Sequence, residues 1–302
     1  MSENIIQINN LTFGFTPNKD ILKNISLTVP RGSIYGFIGA NGAGKSTTMR
    51  VILGVYPEVN DTVKVFNENI NSAYPKSFGR IGTLIDYPAF YDHLSGWNNL
   101  KTLATLRGLS SEHIEESLKL VGMWDARNIK MKRYSLGMKQ RTAIAMALLS
   151  KPELLILDEP VNGLDPNGMV EIRELLVDLN QKTGTTIFIS SHLLQELEKM
   201  VTHLAIIADG EIMFQGSKAA LSSKYGFNKV EIMLNQPEDF IGFIDQKFNA
   251  NLTNESTIVV DTADNTEISA LNQLLVEKGA SVYRISPAES FEKWFMEITK
   301  KN

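Results

Sequence analysis

Short runs of apolar residues alternate with longer stretches of helical periodicity over roughly the first 225 residues, the rhythm of an α/β domain built on a mainly parallel sheet. The pattern predicts strands at Ser33–Ile38, Ile81–Ile85, Leu154–Leu157, Thr186–Ser190 and Leu204–Ala208. Several of these are continuously apolar, as strands covered on both faces must be. Between Ser95 and Ala147 the periodicity is mostly helical and predicts a separate helical lobe. After Gly226 the pattern changes. Strands are expected at Lys229–Leu234, Thr257–Val260 and Ser281–Ile285, and helices at Pro237–Phe248, Glu267–Lys278 and Pro287–Thr299. This second region, roughly 75 residues, is large enough for a small α+β unit and small for an independent core. It holds no catalytic constellation, which favours a packing or docking role.

Composition narrows the class. The chain has 302 residues, 43% of them hydrophobic, so a proper core is available and a disordered chain is excluded. With 30 basic and 34 acidic residues the net charge is −4, which gives no general attraction to nucleic acid or anionic lipid. No cysteine is present, so disulfides, Cys-ligated zinc and thiol nucleophiles are ruled out, in keeping with a reducing compartment. The start, MSENIIQINN, carries no secretory pattern, and the longest apolar run, Ala143 to Leu149, is far below the ~20 residues of a membrane helix.

The chemistry begins at Gly39–Thr47, GANGAGKST, which matches G-x-x-x-x-G-K-[ST] between a strand-like IYGFI and a helical TTMRVILGV. Glycines let backbone N–H groups converge on phosphates, and the following helix N-terminus adds positive potential. Lys45 is placed to bridge the β- and γ-phosphates, and the Ser46 hydroxyl to hold Mg²⁺. Farther on, the apolar strand LLILDEP ends in Asp158 and Glu159. The first carboxylate suits the metal's coordination shell, and the second suits orientation or deprotonation of the attacking water. The strand TTIFIS runs into His192, an imidazole at the same sheet edge. His93, His113 and His203 read as ordinary surface or packing residues.

Taken in this order, these residues resemble the nucleotide-binding subunit of ATP-binding cassette (ABC) transporters over roughly residues 5–225, a likeness that implies a P-loop NTPase (RecA-like) core. Phe15, in LTFGFTP, matches the aromatic that stacks on adenine, and Asp86 falls at the Q-loop position. YSLGMKQR, Tyr134–Arg141, matches the signature segment; Gly163–Pro166 resembles the D-loop with Asp165 as its aspartate; His192 matches the switch histidine. The resemblance implies nucleotide contacts from Phe15, Gly39, Asn41, Gly42, Ala43, Gly44, Lys45, Ser46, Thr47 and Asp86. It also implies contacts from Ser135 and Gly137, made to the ATP of a partner subunit. It places metal ligation at Ser46, Asp86 and Asp158, and catalysis at Lys45, Glu159 and His192.

Two departures stand out. Leu136 and Met138 replace a glycine and a glutamine of the family's signature core, and the usual Q-loop amide is here the carboxylate of Asp86. A carboxylate accepts but cannot donate, and it adds negative charge near the nucleotide. The acidic Q-loop, YSLGMKQR and NGLDPNG together resemble the ATP-binding subunits of bacitracin-resistance and lantibiotic-immunity exporters.

The resemblance implies an ATPase that pairs head to tail with a second copy around two ATP molecules. It would drive export of a peptide antibiotic, lantibiotic or lipid-like compound through a separate integral membrane permease. The chain would lie peripherally at the cytoplasmic face of the cell membrane, without a nucleic-acid partner. Its divisions would be a nucleotide-binding domain at 1–226, with a helical subdomain at about 87–150, and an accessory domain at 227–302. The aromatics Tyr87, Phe90, Tyr91 and Trp97 form either a docking surface for the permease or internal packing of the helical lobe. The alternatives are a soluble cassette ATPase and a regulatory nucleotide-binding module. Against a DNA-repair cassette, only 90 residues separate Lys45 from Ser135, which leaves no room for an inserted coiled coil.

Overall fold

A computed structural model of the chain describes residues 3–17, 19–56, 62–73, 77–86, 89–225, 229–244, 248–262, 265–287, 295–296 and 298–299. Two compact units are present, Met1–Ser217 and Lys218–Asn302. The first opens with β1 (Asn4–Phe13), β2 (Leu22–Pro30), β3 (Ile34–Ile38) and α1 (Lys45–Ile52). After β4 (Val63–Val65), β5 (Glu68–Asn69) and α2 (Ile70–Ala73) comes β6 (Ile81–Leu84). It leads into three helices, α3 (Gly96–Leu106), α4 (Ser111–Leu120) and α5 (Leu136–Leu148). The chain then alternates through β7 (Leu154–Asp158), α6 (Pro166–Thr183), β8 (Thr186–Ser191), α7 (Leu194–Glu198), β9 (His203–Ala208) and β10 (Glu211–Ser217).

The central sheet has the order β10-β9-β3-β8-β7-β6. All neighbours within it are parallel except β10, which pairs antiparallel at the edge. Every residue of β3 and of β8 is buried, which explains the unbroken apolar runs. The register carries the functional consequence: Ile38 pairs with Ser191, and Asp158 with Ser190. The carboxyl ends of β3, β7 and β8 therefore lie side by side, where ligands of open α/β sheets bind.

Beside it stands a four-stranded sheet, β2-β1-β4-β5, with antiparallel pairing that the apolar pattern does not predict. Its strands alternate buried and exposed positions, so no continuous apolar run announces them. One core joins the two sheets: Ile6 and Leu27 of the antiparallel sheet share it with Phe37, Ile156 and Phe188 of the parallel sheet, and α1 contributes Met49 and Ile52. The helical lobe consists of α3, α4 and α5. Ser95 and Ser135 cap the first and last of these by accepting from the N–H groups of Asn98 and Met138.

The second unit contains α8 (Lys218–Tyr225), β11 (Lys229–Leu234), α9 (Pro237–Ile244), β12 (Ala250–Asn254), β13 (Thr257–Asp261), α10 (Asn265–Glu277) and β14 (Val282–Pro287). Its antiparallel sheet, β12-β13-β11-β14, packs Val230, Ile232, Ile258 and Val260 against Phe240, Leu271 and Leu275. The strand β14 extends to Pro287, where the periodicity predicts the start of a helix, and most of 288–299 lies outside the described residues. Among the described residues no helix is long and apolar enough to cross a membrane.

Candidate functional site

The buried strand β3 delivers the chain to Gly39, where a Cβ would stand 2.6 Å from the Ile207 carbonyl oxygen, so only glycine fits. The loop then turns into α1 through Gly44 at φ +111°, a conformation closed to side-chain-bearing residues. No acidic residue lies in the first turn of α1 and no side chain caps it, leaving its N-terminal N–H groups for an anion. Asn41 and Gly42 are exposed at the loop, whereas Ala43 and Thr47 are buried beneath it. Lys45 is also buried. Its Nζ donates to the carbonyls of Gly39 at 2.7 Å and Ala40 at 3.3 Å, so the cation folds back onto the loop it serves.

The carboxylates arrive from β7. The Ser46 hydroxyl donates to Asp158 Oδ2 at 2.5 Å, and the Ser190 hydroxyl donates to Asp158 Oδ1. The Ser190 oxygen in turn accepts from the Glu159 N–H at 3.0 Å. Glu159 adopts φ +49°, a left-handed backbone that costs about 1–2 kcal/mol for such a residue and turns its side chain away from the strand direction. Its Oε2 lies 2.7 Å from His192 Nδ1 and accepts from the His192 N–H at 3.3 Å. Oε1 is buried without a hydrogen bond, 3.4 Å from Lys45 Nζ. Lys45, Glu159 and His192, far apart in sequence, are thus in one contact group.

That orphaned carboxylate oxygen marks where chemistry has room to occur. Glu159 pairs with Lys45, whereas Asp158 is held by two hydroxyls, those of Ser46 and Ser190. Ser46 and Asp158 already converge, and this hydroxyl–carboxylate pairing suits a hard divalent cation. Among the described residues no group of three or more His, Asp or Glu is arranged to hold a metal. A cation here would therefore take its remaining oxygens from phosphates and water, the usual arrangement for Mg²⁺.

Other expected residues lie around this centre. Phe15 is 57% exposed and rests edge-on against Phe13 (5.2 Å) and Tyr56 (5.6 Å), an aromatic ledge on which a base can stack. Asp86, at φ +60°, is engaged by Arg50, whose Nη2 donates to Oδ1 at 3.0 Å and Oδ2 at 2.8 Å. Ser135 and Asp165 cap α5 and α6. Gly137 lies beside Leu164, and Leu136 reaches Gly163, so the signature segment and the D-loop touch. Among the described residues no hydrogen bond joins Ser135, Gly137 or Asp165 to the Lys45–Glu159–His192 group. Of the aromatic set, Tyr91 is exposed while Trp97 packs edge-on against Trp124 at 6.1 Å; Tyr87 lies outside the described residues.

Sequence reasoning missed Ser190 and Arg50. A parallel neighbour for β7 would have pointed to Ser190, because it is the last residue of TTIFIS and faces Asp158 in register. Arg50 has a helical signal: it follows Ser46 by one turn of α1 and so reports from the same helix.

The ABC transporter family model matches residues 22–162. The bacitracin transport ATP-binding protein BcrA of Bacillus licheniformis is 36% identical over 302 residues, covering 97% of this chain and 97% of that protein. The chain belongs to the ABC transporter family. The lantibiotic transport ATP-binding protein SrtF of Streptococcus pyogenes is 37% identical over 211 residues, 70% of this chain and 90% of that protein. The solved structure of an ATP-binding subunit of an ABC transporter superposes with a TM-score of 0.64 at 26% identity, covering 74% of this chain and 93% of the other. As an ABC ATPase the chain has the P-loop α/β fold, binds nucleotide and hydrolyses ATP. The match to BcrA spans the second unit of this ABC subunit, whereas the match to SrtF covers most of that protein with a shorter part of this chain.

Proposed function

We propose that this ABC subunit powers export of a peptide antibiotic of the bacitracin or lantibiotic kind, or a lipid-like compound, through a separate membrane permease. The relatives' transport roles support that substrate class, and the acidic residue at position 86 supports the subgroup. In this reading the chain works peripherally at the cytoplasmic face of the membrane. Residues 1–226 act as the nucleotide-binding domain, with a helical subdomain at about 87–150 that meets the permease near Tyr91, and 227–302 as an accessory domain.

Two copies close head to tail over two ATP molecules. Phe15 stacks on adenine, the N–H groups of Gly39–Thr47 cradle the phosphates, and Ser135 and Gly137 of the opposite copy complete each site. Ser46, Asp158 and Asp86 would hold Mg²⁺, and the cation would supply neutralisation of phosphate charge. When a triphosphate enters, Lys45 exchanges the Gly39 and Ala40 carbonyls for phosphate oxygens. Glu159 takes a proton from the attacking water at the oxygen that now lacks a hydrogen bond, while His192 holds the other oxygen in place. Attack at the γ-phosphorus breaks its bond to the β–γ bridging oxygen, leaving ADP and phosphate.

The contact group of Lys45, Glu159 and His192, with one carboxylate oxygen ion-paired but without a hydrogen bond, carries the reading. Glu159→Gln tests it. ATP turnover should fall by about 10²–10⁴-fold with nucleotide binding retained, and ATP should shift the variant to a dimer on size-exclusion chromatography. Unchanged turnover would remove Glu159 from the chemistry.

A further inference from the structure

The acidic side chain at position 86 raises an electrostatic problem. Assigned by resemblance to the nucleotide site, it would stand near a polyphosphate, where the family's pattern has a neutral amide. The structure shows a cation already committed to it. Arg50 projects from α1 one turn beyond Ser46, and a single nitrogen of its guanidinium bridges both Asp86 oxygens at 3.0 and 2.8 Å. Asp86 is 66% exposed and Arg50 31%, so neither is driven together by burial, and the contact reflects charge and geometry. The hydrogen bond from Arg50 ties the left-handed turn after β6, the start of the connection to the helical lobe, back to the helix that carries the phosphate loop.

We propose that Arg50 is a positioning residue for the acidic loop: it neutralises the Asp86 carboxylate beside the nucleotide and holds the loop against α1. Asp86 and Arg50 form one functional unit, and the acid is tolerated at this position because the base is there. The proposal rests on the assignment of Asp86 to the nucleotide site. Removing both charges therefore harms less than removing Arg50 alone.

The test uses the full-length wild type, Arg50→Gln, Asp86→Asn and the double variant. Titration with a fluorescent ATP analogue in the presence of Mg²⁺ should show Arg50→Gln weakened about two- to five-fold, the range of an exposed ion pair. The double variant should recover most of that loss, and Arg50→Lys should bind close to wild type. In nucleotide-free, metal-free protein, hydrogen exchange of the peptide at the end of β6 should quicken in both single variants, and no further in the double. Independent, multiplicative effects of the two substitutions, or no effect of Arg50→Gln in either measurement, would overturn the pairing while leaving the site assignment standing. Failure of the wild type to bind the nucleotide would overturn both.

Discussion

The two ends of the central parallel sheet are built from the same strands and differ in how completely their polar groups are paired. At the carboxyl ends of β3, β7 and β8, Lys45 is buried against carbonyls, Glu159 sits in a left-handed backbone, and one of its oxygens has no hydrogen bond. At the amino ends the carboxylate is closed off, although Arg31 Nε, 3.3 Å from Glu3 Oε2, has no hydrogen bond. Glu153, just before β7, accepts from Arg31 at 2.7 Å and from Arg80 at 2.6 Å, and these guanidiniums, Arg80 foremost, hold its carboxyl down at about 2. Asn180 donates to the carbonyls of Gly32 and Thr185, stitching α6 to the starts of β3 and β8. A cavity of about 950 Å³ opens at this second end, yet its charged walls are mutually paired, Glu116 with Lys151 and Glu153 with Arg31. Openness of shape is not what marks the reactive end. Left-handed residues occur at both ends, Glu159 and Lys151 (φ +50°), so the difference lies in the acceptors: one Glu159 oxygen has no hydrogen bond, whereas both Glu153 oxygens accept from guanidiniums.

This contrast can be broken by substitution. The largest effect belongs to Lys45→Ala, which should lower nucleotide affinity by at least about 10²-fold, since a buried charge-assisted contact to phosphate is lost. Retained micromolar binding in a titration would sink the loop assignment. Next comes Ser190→Ala. It deprives Asp158 of a donor and the Glu159 N–H of an acceptor, so turnover should drop about 10- to 100-fold while nucleotide affinity stays within a few-fold. Equal losses in both quantities would recast Ser190 as a direct ligand.

The smallest effect is expected at the opposite end. Glu153→Gln should leave ATP turnover unchanged and reduce stability by at most about 1 kcal/mol, because the pairs it forms are partly exposed and screened. The sign comes from the depressed carboxyl. Its contribution is fully present above the unfolded value of about 4.5 and fades as pH falls toward about 2, so wild type and variant should converge in acid. Denaturant unfolding at pH 7 and pH 3 checks both points; a gap that widens in acid would contradict the pairing.

Much of this molecule was readable along the chain. The buried strands β3, β7 and β8, the helical lobe and the phosphate loop each carry a local signature: an unbroken apolar run, a 3.6-residue period, or glycines where only positive φ or close backbone approach will serve. Asp158 and Glu159 were readable because they end an apolar strand. The antiparallel strands β1 and β2 escaped notice because half of their positions face outward and resemble loop sequence. At Pro287 the local preference to start a helix gave way to pairing with Val230 in β11. Local stereochemistry and burial period are written in neighbouring residues, so sequence alone determined the loop, the strand ends and the class of chemistry. Strand order and register are settled by hydrogen bonds between segments distant in the chain. Only the tertiary structure could therefore set Ser190 beside Asp158, leave one oxygen of Glu159 without a hydrogen bond, and bring Arg50 to Asp86.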